Sequence, residues 1–282
     1  MRDDLHDLHD LHRQYTAGET AQEVLRHARG LHARGMRSVI TSLGEQSRSA
    51  QAALAKRDLY CDLLDGTAGL NATVSVKPSD VGLAIDPALA FGALSDIVTV
   101  AARHGKVVEI DLEFRPLLDD TLSLCQALID AGQSLRVTIQ AALLPALNIA
   151  DRLYADAARA GSALSLRIVT GSCYHKDSTG YITTLETSEG VTDQQFYDLI
   201  DLSHEQRAAG QPVSAVGTND TDRLRYAAAR GMELQFLKGE EDRDAYRLAE
   251  KLRPDGAGMA VYTAFGALGD PGVQSYLLRR IH

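Results

Sequence analysis

Short stretches in which apolar and polar side chains alternate recur along the chain, separated by longer stretches with a helical period. "SVIT" 38–41, "TVSVK" 73–77, "VVEIDL" 107–112, "RVTIQ" 136–140, "LSLRIV" 164–169, "VSAVG" 213–217, "ELQFL" 233–237 and "MAVYT" 259–263 read as eight strands. Between them lie predicted helices over 47–64, 87–104, 121–131, 147–160, 193–209, 222–230 and 243–252, and another, 20–34, precedes the first strand with Val24, Leu25, Ala28 and Leu31 on one face. Strand and helix alternating eight times predicts a (β/α)8 TIM-type barrel, somewhat distorted, with an extra N-terminal helix and a short C-terminal helix over the carboxyl ends of the strands. An open doubly wound sheet is the alternative, but no GxGxxG follows the first strand.

The alternation inside the strands carries more than their number. Val74 and Val76 face away from Ser75 and Lys77, Val108 and Ile110 from Glu109 and Asp111, and Val137 and Ile139 from Thr138 and Gln140. Leu166 and Ile168 oppose Ser165 and Arg167, and Leu234 and Phe236 oppose Glu233 and Gln235. Half-exposed antiparallel strands would give the same pattern, but the gaps are helix-length rather than hairpin-length, so a parallel barrel with a polar lumen fits better. On that reading Lys77, Asp111, Gln140, Arg167, Gln235 and Tyr262 lie at or near the carboxyl ends of their strands, the rim where barrel enzymes carry their chemistry. With Glu113 they would form a site for a polar, partly anionic organic molecule.

Bulk properties narrow the classes. A hydrophobic content of 45% over 282 residues supports one large core, with 15–282 as a single barrel domain and 1–14 as an acidic, frayed segment. A formal net charge of -9 argues against a nucleic-acid surface. Cys61, Cys125 and Cys173 are odd in number and widely spaced, so neither a disulfide framework nor a structural zinc site is expected, and a reducing cytoplasm fits. No apolar run is long enough to span a bilayer, and nothing at the amino terminus reads as an export signal. His6, His9 and His12 could line one side of a helix as metal ligands, but an amphipathic helix with Leu5, Leu8 and Leu11 packed down is the simpler reading, and no metal is expected. No His, Cys or Ser is set as a nucleophile with its base, which raises the rank of an organic redox cofactor.

Seven strings, "YTAGETAQEVLRHARGLHARG", "VSVKPSDVGLAID", "VVEIDLE", "VTIQAAL", "LRIVTGS", "ELQFLKG" and "SYLLRR", resemble in order and spacing the proline dehydrogenase family of flavin enzymes, over 15–280. The resemblance implies a (β/α)8 barrel with FAD across the carboxyl ends of the strands, and hydride transfer from proline to flavin N5, giving 1-pyrroline-5-carboxylate. It implies that Lys77, Arg279 and Arg280 bind the substrate carboxylate, that Asp111 shapes the site beside Lys77, and that Tyr262 and Tyr276 line the substrate ring. Arg167 would lie near flavin N5, Gln140 on the isoalloxazine edge, and Val169, Gly171, Thr218, Asn219, Gln235 and Arg280 around the rest of the cofactor. The electron acceptor would be a quinone or oxygen, with peripheral membrane contact left open and the oligomeric state unspecified.

The pattern breaks in places. Where the family reads Val-Lys-Gly-Ala-Tyr after strand five, Thr170 replaces the lysine and Cys173 the tyrosine, and Thr218 stands where a histidine is usual after strand six. Those changes leave FMN as an alternative to FAD. They also leave open a different small amino acid or an N-substituted, for example N–N bonded, carboxylate as substrate, or a flavin-free barrel that only binds an amino acid. Cys173 reads as a small hydrophobe that enlarges the pocket, or as a reactive thiol. The segment 176–190 reads as a lid or as a plain solvated loop.

Overall fold

The structure is a computed structural model that describes residues 2–44, 46–113, 115–171, 173–177, 180–184, 188–240, 243–252 and 258–280, without the side chains of 2–7, 115–116, 173–177 and 180–184. Two helices, α1 (Arg2–Tyr15) and α2 (Ala21–Ala33), precede the first strand. The chain then alternates β1 (Arg37–Ser42), α3 (Ala50–Gly66), β2 (Ala72–Val76), α4 (Pro87–Arg103), β3 (Val108–Ile110), α5 (Arg115–Asp130), β4 (Leu135–Gln140), α6 (Ala146–Ala160) and β5 (Leu164–Val169). A two-stranded insertion, β6 (Cys173–Asp177) and β7 (Gly180–Thr184), comes next. The alternation resumes with α7 (Glu189–Ala208), β8 (Ala215–Gly217), α8 (Thr221–Ala229), β9 (Glu233–Leu237), α9 (Asp244–Leu252), β10 (Met259–Phe265) and α10 (Pro271–Leu278). Strands β1, β2, β3, β4, β5, β8, β9 and β10 pair in parallel, and β10 closes onto β1. This is the (β/α)8 barrel that the alternation predicts.

The differences from the expected boundaries have local causes. β3 ends at Ile110, so Asp111, Leu112 and Glu113 leave the ladder; Asp111 keeps one parallel-type bond, its N–H donating to Val76 O at 3.0 Å. The segment 176–190, read as an unstructured connection, instead contributes the ends of the antiparallel β6–β7 hairpin, and α7 begins at Glu189 with Ser188 as its N-cap. Each hairpin strand is five residues long and largely polar, too short for its period to stand out. Within the segment 1–14, residues 8–14 of α1 touch the barrel. Leu8 and Leu11 of α1 pack beside Tyr15, Val273, Tyr276 and Leu277; His12 Nε2 lies 2.8 Å from Gly266 O; and Lys238 Nζ donates to the carbonyls of Arg13 and Gln14.

The strands divide their side chains as the alternation implies. Val74, Val76, Val108, Ile110, Val137, Ile139, Leu166, Ile168, Leu234 and Phe236 point outward into one continuous core shared with the helices. The lumen holds polar layers. In the lower layer Arg37 donates to Glu233 at 2.9 Å and to Glu109 at 3.0 Å, and Arg136 donates to the same two carboxylates at 2.7 and 3.0 Å. The Gln235 amide nitrogen donates to both as well, at 3.0 Å to Glu109 and 2.9 Å to Glu233. Burial works against the Glu233 charge, but Arg37 and Arg136 outweigh it and hold the carboxyl at about 2.

Two carboxylates, two guanidiniums and an amide so interlocked lose more from one deletion than any pair is worth alone. Arg136→Met is expected to cost ~3–5 kcal/mol of folding stability, measured by urea unfolding. A depressed carboxyl stabilises the fold fully above its ordinary value of 4.5, and this contribution drains away between 4.5 and about 2. Acid unfolding followed by circular dichroism should lose that component in Glu233→Gln.

Candidate active site

Above the lower layer, the second ring of lumen side chains is built around Asp111. Its Oδ1 accepts from Arg167 Nη1 at 2.8 Å, Ser75 Oγ at 3.0 Å and Thr138 Oγ1 at 3.3 Å, while Oδ2 accepts from Tyr262 Oη at 2.8 Å. The Arg167 guanidinium also lies over the Tyr262 ring, 4.3 Å from its centroid. Burial opposes the charge of Asp111, yet Arg167, Lys77 and the hydroxyl donors hold its carboxyl below the usual range. For Arg167 burial again opposes, and Asp111 leads the groups that raise it above its ordinary value, so the guanidinium stays charged. Burial followed by the Asp111 charge drives the Tyr262 phenol upward, so it remains a donor.

Beside this cluster opens a cavity of about 860 Å³, lined among others by Lys77, Asp80, Asp111, Glu113, Gln140, Arg167, Arg279 and Arg280. Lys77 caps the 3-10 turn Pro78–Val81 after β2, and among the described residues its ammonium has neither an ion pair nor a hydrogen bond. The last helix and its C-terminal end supply Gly272, Ser275, Arg279 and Arg280 to the same cavity. Asp270 caps α10, its Oδ1 accepting from Gly272 N at 2.7 Å, with Pro271 at the first position, and the helix ends beside Arg279 and Arg280. Arg279 donates to Ser275 Oγ at 3.0 Å, and Arg280 lies 4.4 Å above the Tyr276 ring, with its Nε buried and without a partner. A second hollow of about 180 Å³ adjoins through Arg167, Val169 and Gly217, and is lined further by Thr218, Asn219, Gln235, Glu240 and Tyr262.

Most residues expected at the rim are gathered here, with three qualifications. Gln235 sits one layer lower than the rim, because it is the middle residue of β9 and both lower carboxylates draw its amide nitrogen down; it still borders the smaller hollow. Tyr276 stands behind the wall, packed with Tyr15, Val273 and Leu277, and supports Arg280 rather than facing the cavity. Cys173 begins β6, and its side chain lies outside the described residues.

Three residues escaped the sequence reading. Asp80, only 3% exposed, lines the cavity, and burial chiefly, against the nearby Lys77 and Lys56 charges, pushes its carboxyl up to about 7. Arg223 of α8 donates to Thr170 Oγ1 at 2.8 Å from above the Phe196 ring, so a cation reaches the rim beside the residue that replaces the expected lysine. Glu240 is buried against the smaller hollow. Asp80 could have been suspected from an acid three residues after Lys77; Arg223 and Glu240 sit at positions that no local pattern marks.

The backbone adds its own shape. Gly171, after β5, has φ +80°, and a Cβ there would stand 2.5 Å from Gln140 Cβ and 2.7 Å from Gln140 Oε1. Gly217 ends β8 where a Cβ would press on Val169 at 3.1 Å. A large ligand could therefore lie flat across the ends of β4, β5 and β8. The free Arg167 Nε, which is buried without a partner, points to a missing acceptor in the same region. Buried guanidinium, amide and open backbone suit the edge of a flavin ring, and the two connected hollows give room for the rest of a dinucleotide.

Comparisons with known proteins bear on the family and the fold. The proline dehydrogenase family model matches residues 24–282. Proline dehydrogenase 1 of Bacillus subtilis strain 168 is 28% identical over 280 residues, covering 95% of this chain and 85% of that protein, and its counterpart in Bacillus subtilis subsp. natto is 26% identical over the same length. Among solved structures, proline utilization A of Bdellovibrio bacteriovorus inactivated by N-propargylglycine superposes with a TM-score of 0.80 at 19% identity, over 96% of this chain. A mutant of proline utilization A from Bradyrhizobium japonicum gives 0.76 at 20% identity. The chain spans 32% and 30% of those two chains, and at such identities the likeness shows the fold.

Gly171→Ala combines a positive φ with a collision against Gln140, and is expected to cost ~1–3 kcal/mol, read as a lowered urea midpoint.

Proposed function

The chain belongs to the proline dehydrogenase family, and on that premise we propose that it oxidises the carbon–nitrogen bond of a small amino acid, L-proline, to 1-pyrroline-5-carboxylate with FAD as hydride acceptor. One observation carries the reading: Lys77, Arg279 and Arg280 line one cavity together with the Arg167–Asp111 pair, which Tyr262 holds through Asp111 Oδ2. Three cations around one space fit a desolvated carboxylate, and guanidinium groups can grip it in a bidentate fashion.

Gln140, Arg167, Val169, Gly171, Thr218 and Asn219 would hold the cofactor, which supplies the two-electron acceptor that no side chain here can be. Arg167 presents a fixed positive charge beside the ring. Because Asp111 and Tyr262 already orient it, no reorganisation is needed when negative charge accumulates there. Lys77 and Arg280 bind the carboxylate and turn the ring carbon toward the Arg167–Asp111 pair, while α10 screens the space from water. Thr170 with Arg223 stands in for the usual lysine on the cofactor side, and Thr218 keeps a hydroxyl where a histidine is usual, so FAD rather than FMN is the cofactor proposed. Electrons then leave to a quinone or oxygen. A second reading keeps the chemistry and changes the amine, and the uncommitted Asp80 carboxylate favours it.

The purified protein is expected to be yellow, with an FAD spectrum that bleaches anaerobically on adding L-proline. A protein that binds neither FAD nor FMN on titration would overturn the enzymatic reading; a yellow protein that stays oxidised with L-proline would overturn only the substrate. Arg280→Met is expected to raise the KM for L-proline at least ~30-fold while the bound flavin content stays near that of the wild type.

A further inference from the structure

Among the described residues three carboxylates border the main cavity, and the protein spends its own donors on them unequally. Asp111 receives four, from Arg167, Tyr262, Ser75 and Thr138. Glu113 receives the Ser79 N–H at 2.9 Å. Asp80 receives none from any described residue, although it is 3% exposed and lies on the cavity wall. Its backbone, by contrast, is fully used: the Asp80 N–H donates to Lys77 O at 3.0 Å, and its carbonyl accepts from Ser47 Oγ. The turn is therefore pinned, and the side chain is left over.

At 3% exposure the Asp80 carboxylate is largely desolvated and meets only the cavity, so a ligand there that brings an N–H would supply the donor the protein does not. The charges around it make its task specific. Lys77 at the head of the turn and Lys56 of α3 favour its ionised form; Glu113 and Asp111, on the segment after β3, disfavour it, and the Tyr60 phenol of α3 lies close enough to feel its charge. An anion in this place, within reach of the Lys77 charge yet not paired with it, is arranged for a molecule that brings both signs.

We propose that Asp80 is a specificity-determining residue that accepts the amine N–H groups of the substrate, in the same cavity as the guanidiniums that take its carboxylate. The inference rests on the amino-acid reading given above. It restricts the substrate class to carboxylates whose nitrogen carries N–H donors, and with two free oxygens Asp80 can take a primary amine or hydrazine nitrogen as readily as a ring ammonium. Carboxylates of the same shape without N–H would gain nothing from it.

The test compares L-proline with tetrahydrofuran-2-carboxylate, which keeps the ring and carboxylate and replaces N–H by an ether oxygen. Both are titrated calorimetrically into dithionite-reduced holoenzyme under argon, where proline binds without turnover. In wild type both ligands should bind, and Asp80→Asn should weaken L-proline at least ~10-fold while changing the ether by no more than ~3-fold, since only a charge-assisted bond is lost. The selectivity for L-proline over the ether should rise from pH 6 to pH 8 in wild type, as Asp80 ionises, and be flat in the variant. Equal loss for both ligands, no loss for either, or a pH-independent selectivity in wild type overturns the assignment of Asp80 alone. A misfolded variant would fall in the equal-loss class, and the wild-type pH profile then decides the point without it. If wild type binds neither ligand, the amino-acid reading itself falls, and this inference with it.

Discussion

A guanidinium and a carboxylate can share the inside of a barrel only if each compensates the other's lost hydration. Arg167 and Asp111 do so at 2.8 Å, on strand ends that are neighbours of β4 on either side. Their pairing is not self-sufficient. Ser75 and Thr138 occupy the remaining lone pairs on one oxygen and Tyr262 those on the other, so four strands converge on a single carboxylate. The rim is rigid at this point because no member can turn without stranding another. A preorganised positive charge in such a setting is what hydride chemistry requires of its surroundings.

The lower layer explains how the upper one is tolerated. Glu109 and Glu233 stand opposite Arg37 and Arg136, with Gln235 bridging the two carboxylates. Charge alternates in sign around the lumen, so the buried ions of each layer are balanced locally. Above the lower layers the charges are less evenly matched: Lys77 and Asp80 both line the cavity, and neither side chain has a hydrogen-bond partner among the described residues. On the proposed reading, a zwitterion would bring a partner to each.

Much of this was legible in the residues because a parallel barrel translates period-two alternation directly into inside and outside. Ser75, Asp111, Thr138 and Arg167 could be assigned to the lumen from their neighbours alone, and the strand positions followed within two residues. Depth was less legible. Gln235 and Tyr262 have the same alternation as Gln140 but sit deeper, since depth depends on the stagger between strands, which only the register reveals. Contacts that cross between elements were the least legible: nothing around Arg223 marks its approach to Thr170, and Asp80 is buried where its turn packs on α3 and α4. The β6–β7 hairpin was missed because a polar strand pair of five residues a side carries the composition of a loop.

The docking of α1 beneath α10 has a consequence for how the molecule comes into being. His12 meets Gly266 across a sequence separation of 254 residues, and β1 must wait for β10 before its outer edge is covered. Barrel closure and the seating of the first helix therefore fall at the same late moment. Until then the chain emerging from a ribosome carries an open sheet edge and an uncovered leucine face. Assembly of the cavity wall that carries Arg279 and Arg280 is tied to that moment too, since α10 is both the last helix described and the surface that α1 covers, so ring closure and the completion of the pocket coincide.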